Sequence, residues 1–365
     1  MLKLDRYILK KLLTTFFFCM LLFTVVAVAV DSSEKTDDFV RAGLNTRQII
    51  NQYYLGFVPW IWSLLFPLFV FIAVIFFTSR MATRSEIIAI LASGISYRRF
   101  LRPYVVGGLL LASLLWIGSR YWIPKANAIR SNFQSKYVDR NDPSKNMNFG
   151  SCYNCYYRRL DSNTFIGIRD YDTVTRSSRG FFMEKVKDNK VIYNLRAEIM
   201  QWDTATRKWK LLNAAERKID SMQETLTFHP NMTLDISLKP YELRKDYYLK
   251  DKLTTPELVR YIKVEEVRGT EGLNALKVER YRRTATPAAV LLLTMIGVVI
   301  ASRKTRGGSG MHLALGIVIA ALFIVSDRFS TVFATKSNFP PLLAAWLPNI
   351  AFSIVALYLY RKTPK

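Results

Sequence analysis

The feature that most constrains this chain is a set of six long apolar stretches, three before and three after an extended polar region. Each approaches the roughly 20 residues that a helix needs to cross a hydrocarbon core about 30 Å thick. The pattern predicts a membrane α-helical bundle of six transmembrane helices, arranged 3+3, with a separate domain inserted between the halves. The stretches are residues 12–30, 53–78, 100–123, 285–301, 311–334 and 341–360.

The predicted domain boundaries follow the apolar stretches. Residues 1–123 hold the first three membrane helices, 124–283 the inserted domain with a helical connector, and 284–365 the last three helices. The first stretch also has features of a cleaved signal peptide, because basic residues precede it and small residues lie near its end. It is longer than a usual signal core, so we expect it to remain as a membrane helix.

The distribution of Lys and Arg predicts the orientation. Basic residues are concentrated before the first stretch, between the second and third, between the fourth and fifth, and after the sixth. The short loops on the other side carry only Lys35, Arg41, Arg47 and Lys336. Because positively charged loops stay in the cytoplasm, both termini are expected there and the inserted domain outside. Contact with lipid headgroups accounts for the net charge of +24, so no nucleic-acid partner is expected.

The inserted domain is predicted to be all-β. Between residues 148 and 243, aromatic and β-branched residues are frequent and no long run has a helical period. Asp188-Asn189 and Asp203-Thr204 are expected to form hairpin turns, and an antiparallel sandwich or open barrel is the natural architecture. Thr255 is then expected to cap the connector helix. The candidate strands are 164–169, 180–186, 191–201, 208–212, 217–220 and 225–229.

Cys152 and Cys155 form a lone C-x-x-C pair in the inserted domain. A zinc site would need two further ligands, and the chain has two histidines, predicted to lie on opposite sides of the membrane. The strand-then-helix context of a redox motif is missing. A local disulfide or two free thiols is therefore expected, and no metal.

A short amphipathic helix is predicted between the second and third stretches. Ser85 is a residue type that caps helices, Glu86 complements the positive end of the helix dipole, and Gly94 is placed to end the helix. An apolar stripe on this helix fits either the inner membrane leaflet or a groove on a cytoplasmic ATPase. The stripe consists of Ile87, Ile90 and Leu91.

Several segments resemble the LptF/LptG permeases, the transmembrane part of the ABC exporter that extracts lipopolysaccharide. The segment from Arg84 to Ser96 is similar to the family's coupling helix, and Leu4-Asp5-Arg6-Tyr7-Ile8 to its opening. The resemblance covers essentially the whole chain, and the last two spans look closer to LptG than to LptF. The other matching segments are Phe66-Pro67-Leu68, 238–243, 253–262, Glu279-Arg280-Tyr281-Arg282-Arg283, Ser326-Asp327-Arg328-Phe329 and 340–349.

The resemblance implies a permease subunit in the bacterial inner membrane, with a periplasmic β-jellyroll domain. It also implies three kinds of partner: a cytoplasmic ATPase dimer similar to LptB, a second permease similar to LptF, and a periplasmic bridge through LptC and LptA. Lipopolysaccharide would enter a cavity between the two permeases through lateral gates at the first and fifth spans, and ATP binding would close that cavity.

The resemblance and the charge pattern together give the candidate site residues. Glu86 is expected to pair with basic groups on the ATPase, and cations near the outer ends of the first and third spans could bind lipid phosphates. Asp327 and Arg328 lie in the outer half of the fifth span, where ionisable groups face a cavity or a partner, and both a structural role at the gate and a role in substrate binding stay open. The ATPase-coupling set is Arg84, Ser85, Glu86, Ile87, Ile90, Leu91 and Gly94, and the candidate substrate-binding set is Lys35, Arg41, Lys125, Arg130 and Lys136.

The chain is not expected to be an enzyme. It contains no G-x-x-x-x-G-K-[ST] sequence, so it cannot hydrolyse ATP by a P-loop, and no cofactor is expected. Two alternatives from other classes stay open. An ion-driven secondary transporter would show inverted repeats or midplane charges, and an envelope sensor would need a cytoplasmic output module.

Overall fold

The computed structural model describes residues 3–138, 156–172, 175–220, 223–236, 238–243, 248–268, 272–303, 308–337 and 339–362. Within these residues, six helices are long and apolar enough to cross a membrane, which confirms the six-span bundle. A six-stranded antiparallel sheet lies between the third and fourth of them in the chain, which confirms the inserted β domain. The chain divides into a helical unit (1–138, 250–259 and 274–365) and a second unit (139–249 and 260–273).

The spans are longer than the apolar stretches that predicted them. The first helix continues through a polar segment and ends where Gly43 takes a positive φ of 62°. Capping signals rather than hydrophobicity thus set its end. Short π-helical turns lie within the second helix and at the end of the third. The spans are Lys3–Arg41, Thr46–Thr83, Tyr97–Val138, Leu273–Ala301, Gly308–Lys336 and Pro341–Arg361.

The second and fourth spans form the centre of the helical unit. In the fourth span 61% of the most apolar window is buried, against 6% in the first span, so the first span presents most of its apolar surface outward. The second and third spans approach closely at Gly56. A Cβ there would lie 2.5 Å from the Ala126 carbonyl oxygen and from the Arg130 amide nitrogen, so only glycine fits.

Two shorter helices matter for the sites. Glu86–Ala92, the loop helix, lies between the second and third spans, and Thr255–Arg268, the connector helix, follows the sheet. The cap of the connector helix was wrongly placed at Thr255. The Thr254 carbonyl accepts the N–H of Leu258 at 2.8 Å, and Glu257 accepts the Thr254 N–H at 2.8 Å. The bond from the cap N–H to an acid three residues later is one half of a capping box, and it selects Thr254 as the cap.

The sheet is a meander in which each strand pairs antiparallel with the next. The turn at Asp188 and Asn189 is confirmed as a two-residue hairpin with positive φ at both residues. The stretches 208–212 and 217–220 were wrongly separated, because they form one continuous strand, and Tyr156–Arg159 was not predicted. The strands are β1 Tyr156–Arg159, β2 Thr164–Ile168, β3 Ser177–Lys187, β4 Lys190–Asp203, β5 Lys208–Ile219 and β6 Glu224–Leu234.

A row of irregular positions crosses the middle of the sheet. Gly180 in β3 and Asn213 in β5 have φ of 79° and 53°, and the regular pairing is interrupted beside both. On either side of this row the alternation of buried residues changes phase, so that Leu211 and Ala214, three apart, both face the core. The pairing register is the same on both sides of these positions, but the face that the side chains present is reversed, so each long strand contributes to the core from both of its halves. The core includes Ile166, Phe181, Met183, Leu195, Met200, Trp209 and Leu211.

The C-terminal half of the connector helix belongs to the second unit. Arg158 of β1 donates a hydrogen bond to the Glu265 carboxylate, and both side chains are buried. Arg268 also contacts Glu265, at 3.2 Å. Removing one member of such a buried pair leaves an uncompensated charge, so these contacts tie β1 firmly to the helix.

Candidate functional site

The loop helix has two different faces. Ile87 is 2% exposed and belongs to the same buried cluster as Phe77 and Met81, and Ile90 and Leu91 pack against that cluster. The apolar stripe that the sequence assigned to the leaflet or to an ATPase is therefore occupied by the chain's own spans. The opposite face is open and consists of Ile88, which is 51% exposed, together with Ala89 and Ala92.

The ends of the loop helix are fixed by backbone geometry. Ser85 precedes the helix, but it has a left-handed φ of 59° and its side chain makes no capping hydrogen bond. Its N–H instead donates to the Ala82 carbonyl at 3.0 Å, so Ser85 serves the turn that ends the second span. Gly94 takes a φ of 84° directly after the helix. Glu86 is half-buried, and Arg84 is exposed.

An ion pair connects the start of the first span to the region of the loop helix. The Asp5 carboxylate is buried and accepts a hydrogen bond from Arg99 at 2.7 Å, close to the start of the third span. Tyr97 and Ser302 place their hydroxyl oxygens 3.1 Å apart, which joins the third span to the end of the fourth. From the sequence, Asp5 was identified only as part of a segment that resembles the family, and no role was predicted for it.

The candidate substrate cations fall into two groups. Lys35 is paired inside the chain, because its Nζ lies 3.0 Å from Asp31 Oδ1, contacts the Tyr53 hydroxyl and sits 4.3 Å from the centre of that ring. Arg130 is also buried, with its guanidinium 4.1 Å from the centre of the Trp60 ring. The three exposed members are Arg41, Lys125 and Lys136.

Asp327 and Arg328 have different surroundings, as expected for neighbours on a helix. Asp327 accepts a hydrogen bond from Arg282 of the fourth span at 2.9 Å. Arg328 is exposed, and within the described part of the chain it forms no hydrogen bond or ion pair. Both residues line a cavity of about 230 Å³ between the second, fourth, fifth and sixth spans.

Arg283 organises the segment that leads out of the sheet and was missed as a site residue. Its Nη1 donates to the Leu253 carbonyl and its Nη2 to the Lys250 carbonyl, both at 2.9 Å. From the third span, Asn127 donates to the Asp251 carbonyl at 3.2 Å. The segment 250–255 is thus held between the third and fourth spans through its backbone. The run of charged residues before the fourth apolar stretch is the sequence feature that could have indicated these contacts.

The side chain of Asp251, in the clamped segment, has an unfavourable electrostatic environment. Burial, and next the charge of Glu279, raise the pKa of the Asp251 carboxyl above its ordinary value. The positive charges of Lys250, Arg130 and Arg283 act in the opposite direction.

Comparison with known proteins agrees with the arrangement of six spans and an inserted sheet. The profile of the family described as "Lipopolysaccharide export system permease LptF/LptG" matches residues 6–362. The chain belongs to the LptF/LptG family. It is 22% identical to the lipopolysaccharide export system permease protein LptG of Escherichia coli K12 over 98% of this chain and 97% of that protein. The LptG of Escherichia coli O6:H1 matches to the same extent.

Membership of the LptF/LptG family makes this chain a multi-pass inner-membrane protein of the lipopolysaccharide export system and a transport subunit. The match runs through the helices and through the sheet, because both lie within the matched residues. Cys152 and Cys155 lie outside the described residues, so their pairing stays a prediction. Among the described residues, no group of three His, Cys, Asp or Glu side chains could hold a metal ion.

Proposed function

We propose that this chain is the LptG-type permease that extracts lipopolysaccharide from the inner membrane, driven by a separate cytoplasmic ATPase dimer that docks on the loop helix. The observation that carries the coupling role is the division of the helix into two faces. Ile87 is fixed in the core of the spans, whereas Ile88, Ala89 and Ala92 form an open apolar face. Glu86, beside this face, would pair with basic groups on the ATPase.

The same division explains how movement of an ATPase would reach the membrane. A helix held by its apolar stripe moves with the spans that hold it, because packed interiors transmit displacement rather than absorb it. The Asp5–Arg99 pair would carry that displacement to the start of the first span. The first and fifth spans, whose apolar windows are only 6% and 17% buried, would form the lateral gates against a second permease of the LptF type.

The exposed cations suit the phosphate groups of the lipid. Arg41, Lys125 and Lys136 are open and can bind phosphate without breaking an internal ion pair, although Lys136 Nζ lies 4.9 Å from the centre of the Tyr137 ring. Lys35 contacts Asp31 and Tyr53, so we propose that it binds phosphate only in a state in which these two contacts are broken. Arg130 is buried over Trp60, and we propose that it positions the neighbouring spans.

Both termini are proposed to lie in the cytoplasm and the sheet in the periplasm, by the distribution of basic residues. Within the described sheet, β6 is an edge strand and exposes Leu226 and Phe228. An unpaired edge is a template for an added strand. We therefore propose that this edge, or the opposite edge at β1, continues into a periplasmic bridge similar to LptC and LptA.

Co-purification tests the coupling role. Tagged protein would be isolated from native membranes in mild detergent as wild type, Ile88→Glu and Glu86→Lys, with Arg361→Glu as a charge-reversed control that is not part of the loop helix. An ABC ATPase should accompany the wild type and the control. It should fall by about tenfold or more with Ile88→Glu, because a charge would be buried in an apolar contact.

Either of two results would contradict this proposal. Equal recovery of the ATPase with Ile88→Glu would show that the open face is not the docking site. Absence of any ATPase from the wild type would instead favour an ion-driven carrier or an envelope sensor.

A further inference from the structure

The cavity between the second, fourth, fifth and sixth spans has no role in coupling or gating as proposed above. Its volume is about 230 Å³, and apolar side chains form most of its wall. The apolar part extends along the spans from the level of Ala285 to that of Leu293, a distance of about 12 Å at the rise of a helix. Its apolar lining includes Leu64, Leu68, Ala289, Leu293, Ala320 and Phe323.

Polar groups gather at one end of this cavity. Arg282 and Asp327 form their ion pair there, and Arg328 adds a positive charge that no described residue neutralises. The formal charge of these three side chains is therefore +1. A positive charge at this depth in a span is unfavourable without a partner. An anion bound at this end of the cavity would neutralise it.

Asn349 supplies a second, independent indication of a ligand site. Its side chain is 6% exposed and its Nδ2 donates to the Ala285 carbonyl at 2.7 Å. That bond fixes the amide orientation and turns Oδ1 into a buried acceptor, for which the described residues provide no donor. A buried polar atom of this kind is costly unless something donates to it.

We propose that this cavity is a binding site for one glycerophospholipid of the bilayer. An acyl chain fills the apolar part, the phosphate binds Arg328 and the Arg282 guanidinium, and a hydroxyl or ammonium of the headgroup donates to Asn349 Oδ1. The elongated apolar space, the net positive charge and the unpaired acceptor each match one part of this ligand. The lipid would stabilise the packing of the fifth span against its neighbours.

The dimensions favour a bilayer phospholipid over the exported glycolipid. A volume of about 230 Å³ is below the range of about 300–1,000 Å³ typical of pockets for drug-sized molecules, so it accepts a single chain. A bilayer phospholipid would place one of its two acyl chains in this space and keep the other in the surrounding lipid, whereas a glycolipid with several acyl chains would leave most of them outside. The site is thus distinct from any cavity between two permeases.

The test is native mass spectrometry of the full-length chain after detergent exchange. Wild type and Lys336→Gln, an exposed cation on the same span, should each retain one phospholipid per chain. Arg328→Gln should retain about tenfold less, because the charge-assisted bonds to phosphate are lost. Ala320→Leu, which fills the apolar part while leaving the charges, should exclude the lipid as well.

A second measurement uses the wild type alone and so does not depend on the stability of the variants. Adding phosphatidylglycerol to delipidated protein should raise the melting temperature of the wild type, whereas diacylglycerol, which lacks the phosphate, should not. Equal lipid retention by the wild type, Arg328→Gln and Ala320→Leu would overturn the proposal. So would recovery of the exported glycolipid in place of a phospholipid.

Discussion

Asp251 is a carboxyl group whose surroundings oppose its charge. It lies in the segment held by Arg283 and Asn127, and only its backbone carbonyl takes part in that clamp. Burial and the nearby Glu279 raise the pKa of its side chain. The folded state therefore binds the proton more tightly than the unfolded state. The stabilisation that the protonated carboxyl gives to the folded state is lost as pH rises through the shifted pKa.

We expect Asp251→Asn to stabilise the protein at neutral and alkaline pH. The amide removes a partly buried charge and leaves the backbone hydrogen bond in place. The melting temperature at pH 8 should rise by about 2–4 °C, the shift that about 1 kcal/mol produces in a large domain. The gain over the wild type should shrink as the pH is lowered to 5, because the wild-type carboxyl then becomes protonated. Thermal unfolding in detergent, followed at several pH values, measures this.

Asp203 provides a matched control of the opposite sign. The N–H of Ala205, then Lys210 and Thr206, hold the pKa of the Asp203 carboxyl down to about 2. A carboxyl with a lowered pKa contributes to the free energy of unfolding. That contribution is constant above the ordinary pKa of the group and is lost only in acid. Asp203→Asn should therefore not stabilise the protein, and its effect should not change between pH 5 and 8. A stabilisation by Asp251→Asn that is independent of pH would contradict the assignment.

At the scale of single elements, the change in burial phase across the sheet depends on two left-handed residues. Gly180 in β3 has a φ of 79°, and Asn213 in β5 has a φ of 53° and donates a hydrogen bond to Glu198 at 2.8 Å. At these positions β3 and β5 reverse the face that their side chains present to the core, while their pairing continues on both sides in the same register. Residues with a Cβ adopt this conformation at a cost of about 1 kcal/mol.

We expect Gly180→Ala to destabilise the sheet by about 1 kcal/mol, because alanine is strained at this φ. Hydrogen exchange of the full-length chain should show faster exchange of the amides in β3 and β4. Asn213→Gly is the control, since glycine keeps the left-handed backbone and removes only an exposed hydrogen bond. If Asn213→Gly accelerates exchange more than Gly180→Ala does, the backbone is not the cause.

Residue composition explains which elements could be predicted from sequence. Aromatic and β-branched residues identified β2, most of β3 and β4, and part of β6. β5 was divided because Asn213-Ala214-Ala215-Glu216 contains neither residue type. β1 was too short to give a pattern, although it pairs fully with β2. The apolar stripe of the loop helix was detected, but its partner was not, because periodicity identifies a face and not what covers it.

At the scale of the whole molecule, the six spans and their order follow from length and hydropathy, whereas the sites depend on residues far apart in the chain. The cavity joins Leu64 to Asn349, and the Asp5–Arg99 pair joins the first span to the third. No spacing rule connects such positions. The resemblance to the family identified the segment of the loop helix, but only the three-dimensional structure shows that its two faces have different surroundings.

The orientation of the molecule gives the last prediction. Single cysteines would be placed at Ala205, in the exposed turn between β4 and β5, and at Arg98, an exposed position after the loop helix, in a chain whose native cysteines are replaced by serine. In spheroplasts, a membrane-impermeant maleimide should label Ala205→Cys and should not label Arg98→Cys, because the basic loops hold Arg98 in the cytoplasm. Both should react after the membrane is opened, which controls for accessibility. The reverse pattern in intact spheroplasts would place the sheet in the cytoplasm, and the loop helix would then be unable to meet a cytoplasmic ATPase.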